Sequence, residues 1–436
     1  SWYRRQRQMC IRDRMNRVTN LFLVFVLAFT FANFYSRDIN KEMSNNKVVT
    51  NTTTYNKPDI ALEISKTTKS FDTNKIDEDI ANKEEVFSSK LISDLNEELI
   101  VLNKEITFLI KKQKFSMFIE KHGGVRGIYL NGYHMTNNSK LEIIYNVLEN
   151  TNVNSLVIDV KTDNGHILFD SVNELTLEMS NVRSKYDSES LNSLKDKKDI
   201  YLIGRVVVFQ DPLFTKNYPD EAIFDSFKKT IYSQDGQYFI DPSSEKAKKY
   251  IINIAKEACE LGFDEIQFDY IRYPDSNYNY MVFKEENTYE NRINNINSFL
   301  RTAKEEINSL GCFVSADVFG YILTDRFDGG IGQNLETIIE NVDFLSPMVY
   351  PSHYSKGSFG YQNPNRNPYG VITSALDDAL ERGVETIKLR PYLQGFWHSD
   401  IEVQENIRAA EDKNMDWIIW NNSSSYNLGY FSKLDS

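Results

Sequence analysis

Cysteine and histidine are both scarce in this chain, at three and five residues of 436, and beyond one short stretch near the N-terminus there is no long apolar run. Cys10, Cys259 and Cys312 form no CxxC pair, and no His cluster stands at metal-ligand spacing. Neither a disulfide framework nor a zinc site is indicated, no cofactor is expected, and Cys259 and Cys312 read as small buried hydrophobes. A basic stripe is missing too: Lys and Arg number 50 against 62 Asp and Glu, a formal net charge of −12. Nucleic acid is therefore excluded as the expected partner, because phosphate binding depends on clustered cations. No glycine-rich phosphate loop follows the first strand-like segment, and no nucleophile elbow is found. Carboxylates, amides and aromatics remain, the last including 25 Tyr and 27 Phe.

The N-terminal third reads as an address and a stalk. Residues 1–14, SWYRRQRQMCIRDR, fit neither a signal nor a fold and are expected to be a non-native leader ahead of Met15. Arg14 and Arg17 precede the apolar run Leu21 to Ala32, which has the length of a signal-peptide core. Counted from Val18 to Tyr35, the same segment reads as a slightly short membrane anchor, so 15–35 is a signal peptide or an anchor and export is expected either way. Residues 36–83 are dominated by Asn, Ser, Thr, Lys, Asp and Glu without sustained period, the composition of a disordered tether. Over 84–114, Ile92, Leu95, Leu99, Leu102, Ile106 and Leu109 recur at alternating three and four residue steps, the a/d pattern of a short coiled coil. Two readings stay open for it: a homodimer seam, or a helix that packs its stripe on the following domain.

From Gly123 to the C-terminus short apolar runs alternate with longer amphipathic stretches, the pattern of βα units in a parallel sheet. The runs are GIYLNG (127–132), SLVIDVKT (155–162), YLIGRVVVF (201–209), EIQFDYIRYP (265–274), CFVSADVFG (312–320), DFLSPMVYP (343–351), TIKLRPYLQGF (386–396) and DWIIWNN (416–422). Eight is the number that closes a (β/α)8 TIM barrel, which the 123–436 domain is long enough to form. Helices are expected over 140–150, 245–261, 291–310, 334–341, 373–382 and 401–413, several ending at a glycine that can cap them.

Polar residues fall late in nearly every run: Asn131, Asp159 and Lys161, Asp211, Asp269 and Arg272, Asp317, Tyr350 and His353, Arg390 and Gln394, Trp420 and Asn421. In a barrel these surface together at the C-terminal rim, where βα loops build active sites. Glycosidic bond cleavage suits such an inventory, since it needs one protonated carboxyl and one carboxylate flanking the sugar. Asp269 and Asp317 end adjacent strands and, by alternation, point inward together. Apolar neighbours such as Phe268 and Val318 are placed to raise one pKa by desolvation. Asp159 is a third candidate, with Lys161 on the same face as either its ion-pair partner or a ligand group. Arg272 is placed to orient Asp269 or to bind an acid group of the substrate.

These segments, above all VIDVKTDNG (157–165), GFDEIQFDYIRYP (262–274), VSADVFG (314–320) and SPMVYPSHYSKGSFG (346–360), resemble the putative glycosyl hydrolase domain of bacterial surface and secreted proteins. The resemblance implies a TIM barrel and glycoside hydrolase-like activity; the export segment and tether add the expectation of an extracellular or cell-wall polysaccharide as substrate and of a location outside the cell or anchored facing the exterior. It places Asp269 and Asp317 at the two acidic sites and Tyr350, His353 and Tyr354 in the sixth-strand loop lining the sugar site. The segment TIYSQDGQYFIDP (230–242) departs from it, having no tryptophan near Asp241. The competing reading is a non-catalytic barrel that holds surface glycan on the same rim; two inward acids at catalytic spacing distinguish the hydrolase.

Overall fold

Eight short parallel strands alternate with helices and close on themselves in the computed structural model, which describes residues 73–432. The expected leader, the signal or anchor and most of the tether lie outside those residues. The strands are β1 (Arg126–Leu130), β2 (Ser155–Lys161), β3 (Tyr201–Val207), β4 (Glu265–Asp269), β5 (Phe313–Phe319), β6 (Phe344–Met348), β7 (Tyr392–Gln394) and β8 (Trp417–Trp420). Each pairs in parallel with its sequence neighbours and β8 returns to β1, the closed order of a (β/α)8 barrel.

The helices are α1 (Thr73–His122), α2 (Asn138–Asn150), α3 (Glu174–Met179), α4 (Ser188–Lys197), α5 (Pro212–Asn217), α6 (Glu245–Leu261), α7 (Tyr289–Asn308), α8 (Leu335–Glu340), α9 (Pro368–Glu381) and α10 (Asp400–Glu411). All six helices expected in the barrel are present, and α6 has the expected bounds. Its start is fixed by Ser244, whose side chain accepts from the Ala247 N–H. Its end is fixed by Gly262 at φ 127°, a conformation that a side chain would strain. Short α3 and α5 escape the periodicity because six residues span fewer than two turns.

Because side chains alternate along a strand, the barrel has two cores. Outward residues such as Leu156, Val206, Ile266 and Val314 pack beneath the helices, while Val157, Ile203, Phe313, Phe344 and Ile418 fill the interior. The N-terminal end of that interior is sealed by α1. Phe115 lies with its ring centroid 5.2 Å from Tyr201, 5.1 Å from Phe313 and 5.4 Å from Phe344, and Lys111 pairs with Asp264 at 2.5 Å.

Three expectations change. The tether ends earlier than expected, since 73–83 is helical and α1 runs on to His122. The face that α1 docks is an aromatic ridge of Phe108, Phe115 and Phe118, seven and three residues apart, while Leu95, Leu99, Leu102 and Leu109 of the a/d stripe stay exposed. Cys259 on α6 and Cys312 before β5 are joined in a disulfide, although both are buried as expected. Fifty-three residues separate them, so only the packing of α6 beside the start of β5 brings the pair together. Among the described residues, no helix is long and apolar enough to cross a membrane.

Candidate active site

Polar side chains enter the interior in layers stacked along the barrel axis. On β4, alternation turns Glu265, Gln267 and Asp269 inward, and all three are buried. At the lowest level Glu265 accepts hydrogen bonds from Tyr201 Oη (2.9 Å), Ser315 Oγ (2.5 Å) and the Arg390 guanidinium (2.8 Å). One level up, Gln267 donates to Ser346 Oγ (3.1 Å) and accepts from Tyr392 Oη (2.6 Å).

The top level holds the acids. Arg205 of β3 reaches Asp269 Oδ2 through Nε (3.0 Å) and NH2 (2.5 Å), and Asp159 Oδ1 through NH1 (2.7 Å). Asp159 also accepts from Tyr129 Oη (2.6 Å) and the Gly132 N–H (3.2 Å). The second oxygen of Asp269 accepts from the Tyr270 N–H at 2.6 Å. Every one of these contacts is accepted by Asp269, the bonding pattern of a carboxylate. Tyr270 sits at φ +52°, a left-handed conformation costly for a bulky residue and of the kind that gathers at functional sites.

Asp317 stands beside Asp269 in a different condition. The register of β4 on β5 runs Gln267 with Ser315 and Phe268 with Ala316, so the next step sets Asp269 level with Asp317 on the neighbouring strand. Asp317 is only 1% exposed, and its Oδ1 has no hydrogen-bond partner. Burial first, and the Asp269 charge second, push its pKa well above the usual carboxylate range, with Arg205 opposing. Gly320 keeps the backbone behind this carboxyl close to β6, since a Cβ there would meet the Met348 carbonyl oxygen at 2.5 Å.

Above the acids opens a cavity of about 410 Å3, within the range of small-ligand sites. Its walls are largely aromatic: Tyr270, Phe319 and Tyr321 on one side, Tyr350, His353 and Tyr354 on another, and Trp420 stacked on Tyr129 at 3.9 Å between centroids. Burial lowers the pKa of His353 and favours its neutral form. Beyond Tyr350, the Phe396 ring lies 5.3 Å away and leads to Trp397, which is 81% exposed at φ +58°.

Of the residues expected at the rim, Asp269, Asp317, Arg272, Tyr350, His353, Tyr354 and Trp420 line this one cavity. Asp159 lies outside its lining and is linked to it through Arg205. Lys161 and Asp211 form a fully buried pair at 2.9 Å away from it. Lys161 does not share a face with Asp159, because a register shift pairs Asp159 with Arg205 but Lys161 with outward-facing Val206. Asn131 caps the short turn after β1, and Gln394 accepts from the Ser352 N–H and donates to the Phe396 carbonyl, supporting the two loops of the aromatic wall. Asn421 braces the last loop against the Gly395 carbonyl. Arg390 is at the opposite end of the barrel: β7 begins only at Tyr392, so Arg390 precedes the strand and meets Glu265 at the bottom.

Arg205, Tyr270, Phe319, Tyr321 and Tyr392 also line the cavity, and Tyr129 packs behind Trp420; the rim pattern does not single these residues out. Arg205 carries a usable signal, a lone cation inside the apolar run YLIGRVVVF that must find an acid once buried.

No protein of curated function matches the chain. A hypothetical protein from Ruminiclostridium thermocellum is 33% identical, with 44% of this chain and 97% of that one aligned and a TM-score of 0.39. The glycoside hydrolase domain of PgaB (BpsB) from Bordetella bronchiseptica aligns over 69% of this chain and 94% of its own at a TM-score of 0.52 and 10% identity, a likeness of fold. The glycoside hydrolase domain of PelA from Pseudomonas aeruginosa aligns over 70% and 96% at a TM-score of 0.42 and 10% identity. The family model described as "putative glycosyl hydrolase domain" matches residues 127–426, from β1 through β8, and the chain belongs to that family.

Proposed function

We propose that the barrel hydrolyses glycosidic bonds of an extracellular or cell-wall polysaccharide, with Asp317 as general acid and Asp269 as the carboxylate facing the anomeric carbon. The observation that carries this is the asymmetry of two level acids: Asp269 is engaged by Arg205 and Tyr270, while Asp317 is buried beside it without a partner. A carboxyl with a raised pKa keeps its proton near neutral pH and can give it to the leaving oxygen as the C–O bond breaks. Asp269 then either attacks the anomeric carbon, forming a glycosyl ester that water cleaves with Asp317 now acting as base, or takes a proton from the attacking water. In both cases water supplies the new hydroxyl, and Asp317 regains its proton from that water in the first case and by exchange with solvent, as Asp269 releases its own, in the second. Arg205 holds Asp269 in place while sharing its charge with Asp159.

The aromatic walls suit the apolar faces of sugar rings. Trp397 extends them past the cavity, which supports a polymer as substrate: an exposed, strained tryptophan is costly and gains nothing from the barrel core. Action outside the cell is supported by the apolar run Leu21 to Ala32 with its preceding arginines, and independently by the Cys259–Cys312 disulfide, a bond that persists in oxidising compartments.

Release of reducing sugar from a panel of wall and capsular polysaccharides tests the reading, with the full chain run beside Asp317→Asn and Asp269→Asn. Each variant is expected to lose at least about a hundredfold of the rate. Glycan binding by all three proteins with no cleavage by the wild type would favour the non-catalytic barrel instead.

A further inference from the structure

Arg272 is the cation of this cavity that nothing in the catalytic reading uses. It follows β4 by three residues and lies over aromatic rings, 4.9 Å from the Tyr270 centroid, 4.7 Å from that of Phe319 and 6.0 Å from that of Phe239. Its recorded hydrogen bond is from NH1 to the Tyr273 carbonyl at 3.1 Å, and it makes no ion pair among the described residues. Arg205 in the same cavity is saturated by two carboxylates, so the contrast lies within one site. Aromatic rings packed around this half-buried guanidinium restrict its orientation and remove part of its water, while Nε and NH2 make no hydrogen bond among the described residues and can bond a ligand in the guanidinium plane. A planar fork preorganised in this way matches a carboxylate in bidentate geometry.

We infer that the polysaccharide carries a carboxylate on a sugar bound beside the cleaved bond, as a uronic acid does, and that Arg272 is the residue that reads it. This rests on the glycoside hydrolase reading for the sugar and on the stacked guanidinium for the acid. A singly charged carboxylate fits better than a phosphomonoester. Asp269 and Asp275 face the same space, and a second negative charge would add to their repulsion. Asp275 itself is exposed at the mouth and forms no ion pair with Arg272, so water screens it and leaves the guanidinium available.

The test compares binding of a glucuronic-acid-containing tetrasaccharide with binding of the same tetrasaccharide after reduction of its carboxyls to hydroxymethyl groups. Calorimetry on the full chain carrying Asp317→Asn avoids turnover. The acidic form is expected to bind at least about tenfold more tightly, with the preference shrinking as salt rises. Arg272→Gln should abolish the preference, and Arg272→Lys, which keeps the charge without the fork, should restore part of it. Unchanged thermal midpoints confirm that both variants fold. Equal binding of the two sugars, binding of neither, or a preference that survives Arg272→Gln overturns the inference. Hydrolysis that persists while the preference is absent sinks this inference alone. A preference without hydrolysis of any acidic polysaccharide leaves it standing and removes the catalytic reading instead.

Discussion

The two ends of the barrel use the same ingredients to opposite effect. At the N-terminal end a buried arginine, a glutamate and a tyrosine meet under the aromatic ridge of α1; Glu265 accepts from Tyr201, Ser315 and Arg390, and its oxygens are spent. At the C-terminal end Arg205, two aspartates and Tyr129 build a similar cluster, but a third acid, Asp317, is added without a partner and a cavity is left open above it. In the lower cluster the carboxylate is fully partnered, and although Arg390 Nε and NH2 are buried without hydrogen bonds, Nε still faces Asp416 at 3.8 Å, so cohesion accounts for the group and no cavity opens on it. The upper one pairs a satisfied acid with a costly unsatisfied one, and such a cost is retained where chemistry uses it.

The comparison can be broken at either end. Arg390→Ala should have the largest effect, about 3–5 kcal/mol of stability by urea unfolding, because it leaves Glu265 buried without its cation. The remaining folded protein should keep its kcat, and a specific kcat loss would mean that the two ends are coupled. Asp317→Asn should do the reverse, removing about a hundredfold of activity from a protein that still folds.

The same variant has a pH signature. The folded-state pKa of Asp317 is raised, so its contribution to stability is fully present below the unfolded carboxyl value and lost as pH rises through the folded one. Stability of Asp317→Asn relative to wild type should therefore grow with pH across that window, by about 1.4 kcal/mol per unit, and level off above it. Wild-type kcat should decline on the alkaline side as the same proton is lost. The smallest effect is expected at the rim, where Trp397→Ala should raise KM about tenfold on a polymer, the loss of roughly one stacking contact of 1–2 kcal/mol. A disaccharide-sized substrate should not register the change.

The barrel and its acid pair were legible because both rest on alternation, which an eightfold repeat of short apolar runs displays plainly. Asp269 and Asp317 each stand at the end of such a run, and strand order alone makes them neighbours. What alternation does not carry is local irregularity. The register shift in β2 turns Lys161 away from Asp159, and a single turn of 3-10 helix over Thr386–Lys388 delays β7 until Tyr392, which moves Arg390 to the other end of the molecule. Neither leaves a mark in hydropathy. The Cys259–Cys312 bond and the grip of Arg205 on two strands are products of tertiary packing, visible beforehand only as a buried cysteine and a misplaced charge. The docking face of α1 was hidden differently: its leucine stripe is the regular pattern, while the three phenylalanines that seal the barrel begin at Phe108, on another face of the same helix, and run past the end of the stripe.

A general acid at Asp317 must hold a proton near neutral pH for delivery to the leaving group. The infrared difference spectrum of wild type minus Asp317→Asn, taken on the full chain at neutral pH, tests it without a substrate. A protonated-carboxyl C=O band present in the wild type and absent from the variant is the predicted result. A difference spectrum showing only an ionised carboxylate at that position would contradict the account, because an acid already deprotonated has no proton to give.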